Sequence, residues 1–508
     1  MKILSSKQIK AADKFTIEHE PISSNELMER AANGCFKWII QRFDISKTFK
    51  IFCGTGNNGG DGLAIARMLI LNGYKVLIYI VRDEHFVSED FNINELRLRN
   101  INNVSIIDIT SISQIPEISK EDIIIDALFG IGFNKPLKDL LVYLIQRINA
   151  SSTKIIYIDI PSGLFADQSS TIFSGKIIKA NYTLSFMVYK LAFLFAENAD
   201  FLGEVVIIPI GLNQEFISTC QSNYEIIEEK QLSHFFKKRN PFSHKGNYGH
   251  AGIIAGSYGK IGAAVLSTKA CLRSGVGLLT VHVPKCGYTI LQTSVPEAMV
   301  ISDENDKMIS SVHQLDTYNI IGIGPGIGTS KETTNALICL VEKFENKMVI
   351  DADAINILSE NKECLKFISR DSIFTPHPKE FERLVGKSQN HFERNKMQIE
   401  FSKRHQVYVV LKGRYTCITC PDGMSYFNPT GNAGMAKGGS GDVLTGILTS
   451  LLAQGFSSKE TCLAGVYLHG LAADLAVKEI GEFSLFASDI INYISKAIKH
   501  IIESKFEN

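Results

Sequence analysis

Residues Gly431–Leu444 read GNAGMAKGGSGDVL and lead into an apolar run, Val443–Leu452, that is typical of a buried helix. A helix that begins among glycines leaves backbone N–H groups pointing outward, and the helix dipole adds partial positive charge there. The segment 438–442 (GGSGD) therefore predicts an anion site suited to phosphate oxygens. Asp442 lies at the same helix start, where its carboxylate can accept a substrate proton. An ordinary helix start with an acidic N-cap residue fits Gly441-Asp442 equally well.

The composition is that of an ordinary globular protein. A chain of 508 residues is too long for one hydrophobic core and predicts two or three domains. The formal net charge is zero, which gives no electrostatic footprint for nucleic acid or an anionic membrane. No apolar run approaches a bilayer span, and the charged N-terminus, MKILSSKQIKAADK, has no signal-peptide core. We therefore expect a cytoplasmic enzyme or binding protein without a nucleic-acid or membrane partner.

The ten cysteines are scattered along the chain, and the only close pair is Cys417 and Cys420. No second pair follows at metal-ligand spacing, so side-chain alternation on a strand explains this pair better than a zinc site does. Free thiols suit a reducing compartment.

Apolar periodicity divides the chain into two α/β series. Residues 1–48 show helical spacing, and short apolar strands then alternate with helices. This alternation predicts a parallel sheet covered on both faces, a Rossmann-like three-layer domain. Apolar density falls over 211–230, and a second strand–helix series follows without repeating the first. We expect two different α/β domains, over 1–215 and 231–508, joined by a linker at 216–230.

In the first half a glycine-rich segment, residues 54–62 (GTGNNGGDG), follows a strand, and we expect a glycine loop over 54–60 and a helix from Gly62. It satisfies the G-x-G-x-x-G pattern of dinucleotide-binding folds, and Asp83 falls where a ribose-binding acid is expected. The polar side chains of Asn57, Asn58 and Asp61 exceed what a simple pyrophosphate turn needs. Amide oxygens suit a monovalent cation or a ribose, and Asp61 suits a cation or a hydroxyl. A classical NAD-binding domain stays an alternative.

Polar side chains also follow the later strands of this half, namely Asp126, Asp159, Ser162 and Lys190. Ligands of open parallel sheets bind at the carboxyl ends of the strands, so these groups are expected to converge with the glycine loop. Each alone is equally a turn residue or a helix cap, but the whole set favours a binding site.

The motifs GTGNNGGDG, DALFGIG and DIPSGL, followed by Lys190, closely resemble the NAD(P)H-hydrate epimerase domain of the YjeF family over residues 1–215. The resemblance implies that the hydrated nucleotide is bound by two loops and one acid: Asn57, Asn58, Gly59, Gly60, Asp61, Gly130, Ile131, Gly132, Phe133, Asn134, Lys135, Pro136 and Asp159. It also implies a K⁺ ion bound by Asn58, Asp126 and Ser162. Inversion at the hydroxyl-bearing ring carbon needs a group that gives and takes a proton, for which Asp159 and then Lys190 are the catalytic candidates. Ring opening and departure of hydroxide both stay open.

The loop over 130–136 departs from the family pattern, which usually has Gly-Thr-Gly followed by Arg. Ile131 removes a hydroxyl, and Lys135 takes the place of the Arg as a less directional phosphate contact. We therefore expect substrate binding at this loop to differ from that of the family.

The second half carries six motifs in order, at residues 256–264 (GSYGKIGAA), 324–328 (GPGIG), 351–356 (DADAIN), 375–380 (TPHPKE), 412–416 (KGRYT) and 431–446. Two prolines fix the loop around His377, which favours a functional imidazole over a structural one. The segment 412–416 ends a predicted strand and suits a nucleotide phosphate or base.

Together these motifs resemble the ADP-dependent NAD(P)H-hydrate dehydratase domain, which has a ribokinase-like α/β fold, over residues 235–500. The resemblance implies that Ala263, Gly326 and His377 contact the hydrate and that Asp442 is the general acid/base at the substrate. It implies an ADP site formed by Lys412, Gly413, Arg414, Tyr415, Thr416 and Gly441. Mg²⁺ is a candidate ion for the nucleotide. Lys437 stands where the family usually has Thr, so it either adds charge near the phosphates or points outward.

The resemblances imply a bifunctional enzyme that repairs NADHX and NADPHX, the hydrated forms of NADH and NADPH, with ADP as co-substrate, K⁺ in the epimerase domain and a homo-oligomeric assembly. An epimerase that feeds a dehydratase specific for one epimer returns all of the material to NAD(P)H. Two alternatives remain. The second half also suits a ribokinase-type small-molecule kinase, because an anion site with an Asp base is what phosphoryl transfer requires. The first half also suits a non-catalytic nucleotide-binding module.

Overall fold

The computed structural model describes residues 1–82, 86–133, 137 and 139–503, of which 172–174 are described in backbone only. The chain forms two compact units. The N-terminal unit holds residues 2–222 and 390–392, and the C-terminal unit holds residue 1 and the remainder of the chain.

The strands of the N-terminal unit are β1 (Thr48–Cys53), β2 (Lys75–Val81), β3 (Ser105–Ile109), β4 (Ile123–Ala127), β5 (Lys154–Ile158), β6 (Tyr182–Phe186) and β7 (Glu204–Ile208). They form one parallel sheet in the order β3-β2-β1-β4-β5-β6-β7. The strand order reverses between β1 and β4, and a crevice for ligands opens beyond the carboxyl ends of strands at such a point.

The α-helices of this unit are α1 (Ser6–His19), α2 (Ser24–Ile40), α3 (Asn57–Leu71), α4 (Glu89–Arg99), α5 (Asp139–Ala150), α6 (Ala199–Leu202) and α7 (Gln214–Thr219). Successive strand residues point to opposite faces of the sheet. Ile51 belongs to the same buried cluster as Leu63 of α3, and Phe52 to a second cluster with Leu144 of α5. Both faces of the sheet are therefore covered, which confirms the predicted three-layer α/β architecture.

Helix α3 begins earlier than the sequence indicated. A loop was expected through Gly60, whereas the helix starts at Asn57 with Gly56 as its N-cap residue. The glycines of this segment allow close packing. A Cβ on Gly59 would lie 1.8 Å from the Gly54 carbonyl oxygen, and one on Gly62 would lie 2.5 Å from the Ala127 Cβ. Glycine here brings the first turn of α3 against the ends of β1 and β4.

The strands of the C-terminal unit are β8 (Tyr224–Ile226), β9 (His250–Ile254), β10 (Leu278–Val283), β11 (Met299–Ser302), β12 (Ile320–Ile323), β13 (Met348–Ile350), β14 (Ile373–Phe374), β15 (Tyr408–Leu411), β16 (Cys417–Thr419) and β17 (Ser425–Phe427). They form one sheet in the order β11-β10-β9-β12-β13-β14-β15-β16-β17-β8. All neighbours are parallel except β16, which runs antiparallel to β15 and β17. The stretch expected as a linker, 216–230, contains β8 and the end of α7.

The α-helices of this unit are α8 (Glu229–Leu232), α9 (Ile261–Arg273), α10 (Tyr288–Ser294), α11 (Lys331–Lys343), α12 (Ala352–Glu360), α13 (Pro378–Val385), α14 (His391–His405), α15 (Ser440–Ala453), α16 (Ser458–Ile480) and α17 (Ala487–Glu503). The predicted buried helix is α15, and a Cβ on its Gly446 would lie 2.2 Å from the Ser267 carbonyl oxygen of α9. Its N-cap residue is Gly439, in the left-handed region at φ 95°. The alternative that Asp442 is an N-cap acid is therefore wrong, because Asp442 lies inside the first turn.

Candidate active sites

A cavity of about 800 Å³ opens in the N-terminal unit at the point where the strand order reverses. Eight residues predicted to bind the substrate line it: Asn57, Asn58, Asp61, Gly130, Ile131, Gly132, Phe133 and Asp159. Gly59 and Gly60 do not line the cavity among the described residues, and a Cβ on Gly60 would lie 2.8 Å from the sulfur of Met28, which does line it. The structure thus brings the two predicted loops and the predicted acid to one cavity. Asp83, Asn134, Lys135 and Pro136 lie outside the described residues.

The residues predicted to hold K⁺ form one buried polar cluster. The Asp126 Oδ1 atom accepts hydrogen bonds from the Leu128 N–H and the Ser162 hydroxyl, both at 3.0 Å. The Asn58 amide donates to the Phe129 carbonyl at 2.9 Å, but its buried Oδ1 atom has no partner among the described residues. Burial raises the pKa of the Asp126 carboxyl to about 7. An unpaired amide oxygen and a buried carboxylate are a donor set that fits a hard monovalent cation.

Asp159 is held in a strained position by Lys190. Its backbone is in the left-handed region at φ 73°, which is rare outside glycine and common at functional sites. Lys190, only 1% exposed, donates to the Asp159 Oδ1 atom at 2.5 Å, to the Ser185 hydroxyl at 2.7 Å and to the Phe186 carbonyl at 3.2 Å. The ammonium group is thus committed to these acceptors. Asp159 lines the cavity, whereas Lys190 lies behind it.

Helix α1 contributes two cavity residues that no sequence motif indicates. Lys10 and Asp13, one turn apart on α1, both line the cavity. Burial, and then the negative charge of Asp159, raises the pKa of the Asp13 carboxyl to about 6. Burial and the same neighbour raise the pKa of Asp61 well above its usual value. A raised pKa favours the protonated form of a carboxyl, which is the form that a proton donor needs.

In the C-terminal unit the expected anion site lies at the start of α15, where no side chain among the described residues caps the helix. A Cβ on Gly441 would lie 3.4 Å from the Lys412 Nζ atom, so the predicted phosphate contacts come together. Lys412 donates to the Asp351 Oδ1 atom at 2.8 Å, and the Thr445 hydroxyl donates to Asp351 Oδ2 at 2.8 Å. Free backbone N–H groups and a fixed ammonium are suited to phosphate oxygens. Asp351 belongs to the predicted motif at 351–356, but its role in positioning Lys412 is visible only in the structure.

Asp442 lies half-buried beside this network. Burial, and then the charge of Asp351, raises the pKa of the Asp442 carboxyl to about 6, while Lys412 opposes the shift. The carboxyl makes no hydrogen bond or ion pair with the residues that the structure describes. It is therefore able to exchange a proton with a ligand near neutral pH.

His377 caps helix α13. Its Nδ1 atom accepts from the N–H groups of Lys379 at 3.1 Å and Glu380 at 3.2 Å, which places the ring proton on Nε2, 3.2 Å from the Glu380 carboxylate. The imidazole thus has a structural role as a helix cap, although the two flanking prolines favoured a functional one. Its contact with the hydrate stays a prediction. The other two predicted hydrate contacts are neighbours, because a Cβ on Gly326 would lie 3.2 Å from the Ala263 Cβ.

The remaining predicted nucleotide contacts form a loop beside the same helix start. Arg414 donates to the carbonyls of Pro429 at 3.1 Å and Gly431 at 2.9 Å, and the Thr416 hydroxyl donates to the Gly413 carbonyl at 3.0 Å. Arg414 lies over the ring of Tyr415. Segment 412–416 is thereby tied to the glycine-rich stretch at 431.

Lys437, the departure from the family pattern, has a partner of its own. It donates to the Phe483 carbonyl at 2.6 Å and lies over the Phe486 ring. The close cysteine pair, Cys417 and Cys420, is buried, and both thiols are free.

Comparison with known proteins identifies both halves. The family described as NAD(P)H-hydrate dehydratase matches residues 251–496, and that of the YjeF-related protein N-terminus matches residues 24–192. The bifunctional NAD(P)H-hydrate repair enzyme of Coxiella burnetii is 33% identical over 497 residues, which cover 97% of this chain and 98% of that protein. This chain belongs to that family. The Escherichia coli repair enzyme is 32% identical over 483 residues, covering 94% of this chain and 90% of that protein. The ADP/ATP-dependent NAD(P)H-hydrate dehydratase of Bacillus subtilis, co-crystallised with ATP/Mg²⁺, is 30% identical with a TM-score of 0.49, covering 55% of this chain and all of that one.

Family membership confirms the predicted order of an epimerase domain followed by a dehydratase domain. The chain is an NAD(P)H-hydrate repair enzyme by family, and the kinase alternative and the non-catalytic alternative are not supported. Across the described residues, no helix combines the length and apolar character needed to cross a bilayer.

Proposed function

We propose that the cavity of the N-terminal unit interconverts the R and S hydrates of NAD(P)H and that the α15 site of the C-terminal unit dehydrates the S form at the expense of ADP. The observation that carries the proposal is that each site has a carboxylate poised for proton transfer. Asp159 is fixed by Lys190 at the cavity wall, and Asp442 lies beside an uncapped helix start and Lys412.

In the epimerase site, Asp159 and Lys190 act as one unit. The buried ion pair holds the Asp159 carboxylate in one position, so that it is placed to take the proton of the ring hydroxyl. Asp13, with its pKa raised to about 6, is the second proton carrier that lines this cavity. We assign the K⁺ ion to Asn58, Asp126 and Ser162, where its positive charge would favour the ionised Asp126 and attract the anionic substrate.

In the dehydratase site, the N–H groups at the start of α15 and Lys412 bind the ADP phosphates, together with the loop 412–416 and Gly441. Asp442 exchanges the proton at the substrate, and Ala263, Gly326 and His377 form the hydrate site. Mg²⁺ enters with the nucleotide phosphates, its usual partners. Asp351 positions Lys412 and touches neither ligand in this assignment.

We further propose a reducing, cytoplasmic location and a homo-oligomeric assembly. All ten cysteines are free, and seven of them are buried in hydrophobic clusters or strands: Cys35, Cys53, Cys271, Cys364, Cys417, Cys420 and Cys462. Light scattering on the purified chain measures the assembly directly.

The test is recovery of NADH absorbance from a mixture of both hydrate epimers with ADP, K⁺ and the purified chain. Complete recovery is expected. Asp159→Asn should stop recovery once the S form is consumed, and Asp442→Asn should abolish it. No recovery by the unmodified chain, with ATP consumption on another hydroxyl compound, would establish a kinase instead.

A further inference from the structure

Lys10 lines the epimerase cavity and lies against the second of its two loops, the one that contains Gly132. It lies on helix α1, is exposed, and forms no ion pair with any carboxylate that the structure describes. Its Nζ atom lies 3.2 Å from the position that a Cβ on Gly132 would occupy. Glycine at 132 thus leaves the ammonium room to lie directly against the backbone of the loop.

Acidic side chains outnumber basic ones among the described residues that line the cavity. The described lining residues include the carboxyls of Asp13, Asp61, Asp90 and Asp159 and a single ammonium, that of Lys10. A hydrated dinucleotide brings a negatively charged diphosphate into this surrounding. Among the described lining residues, Lys10 alone has an ammonium group that can pair with this diphosphate.

We propose that Lys10 binds the diphosphate of the hydrated nucleotide, and that helix α1 thereby supplies a phosphate subsite for the epimerase. The start of α3 lines the same cavity, and its N-cap residue, Gly56, makes no side-chain cap. Its free N–H groups and the Lys10 ammonium flank the same cavity, which is how proteins hold phosphate oxygens. The inference rests on the proposed epimerase function and assigns its anion-binding group.

The experiment measures exchange between purified R and S hydrates by chromatography, without ADP so that the dehydratase is idle. Lys10→Gln in the full chain is expected to raise KM about tenfold, the effect of losing one charge-assisted phosphate contact, with kcat little changed. Lys10→Glu should raise KM further. The KM of the unmodified chain should rise with salt, and Lys10→Gln should flatten that dependence. Lys14→Gln is the matched control, since Lys14 lies on the same helix, is exposed and pairs with Glu18.

An unchanged KM and salt dependence in Lys10→Gln, beside an active unmodified chain, would overturn the role of Lys10 and leave the epimerase standing. An equal rise of KM in Lys14→Gln would also overturn it, because the effect would then be one of general charge. Absence of exchange in the unmodified chain would instead refute the proposed epimerase.

Discussion

Replacing Lys190 by Met should destabilise the N-terminal unit strongly. Lys190 is 1% exposed and Asp159 is 8% exposed, so the substitution leaves a buried carboxylate without its counter-charge. Breaking a buried pair in this way costs about 3–5 kcal/mol. With a urea m-value of about 3 kcal/mol per M for a unit of this size, the unfolding midpoint should fall by about 1–1.7 M.

The assay is urea unfolding followed by tryptophan fluorescence. Trp38 is the sole tryptophan of the chain, lies in α2 and contacts Tyr182 of β6 edge-on at 5.0 Å. Its emission therefore reports on the N-terminal unit alone. Adding Asp159→Asn to Lys190→Met should restore part of the loss, because the unpaired charge is removed.

Lys14→Met is the control, since it breaks an exposed pair with Glu18 and should cost less than about 1 kcal/mol. A midpoint for Lys190→Met that matches the control would refute the idea that Lys190 holds Asp159 in place.

Three further outcomes are expected. The kcat/KM of dehydration should fall as pH drops below about 6, because Asp442 must be ionised to accept a proton. This is tested by measuring pH profiles of the unmodified chain and of Asp442→Asn. A profile of the unmodified chain that stays flat down to pH 5 would contradict it. The raised pKa of Asp126 means that the folded unit holds a proton that the unfolded chain has released, so the stability of the N-terminal unit should fall as pH rises from about 4 to about 7. Above pH 7, K⁺ should raise the free energy of unfolding by about 1.4 kcal/mol for each tenfold excess of K⁺ over its dissociation constant. Asp126→Asn should abolish this effect. Equal stabilisation of the unmodified chain and of Asp126→Asn by K⁺ would argue against the site. Gly59→Ala should destabilise the N-terminal unit by more than about 3 kcal/mol. Gly56→Ala should change the stability by less than about 1 kcal/mol, because a Cβ there meets no described atom within 4 Å. Equal urea midpoints for the two variants would show that the helix start adapts.

The glycine loops and strand-end acids could be predicted because their chemistry is local. A glycine where β1 meets α3 and an acid after a buried strand are visible in a few consecutive residues, and parallel topology brings such strand ends together. Lys10 and Asp13 could not be found in this way. They flank the apolar stripe of α1, marked by Ile9 and Ala12, and charged residues there are typical of a solvated helix face.

Two other features depended on distant parts of the chain. The partner of Lys412 is Asp351, 61 residues earlier. The sequence around neither residue indicates that the two form an ion pair. The start of α15 was placed too late, because the left-handed Gly439 sets the helix start, and the apolar run that signals a helix begins only at Val443.

Strand β8 has a consequence for anyone who separates the two activities. It pairs in parallel with β17, through Tyr224↔Ser425 and Ile226↔Phe427, and it closes one edge of the ten-stranded sheet. A dehydratase fragment that begins at residue 231 would lack this strand and would present the N–H and C=O groups of β17 to other molecules. Exposed edges of this kind recruit strands from neighbouring copies. A soluble fragment should therefore begin at or before Asn223.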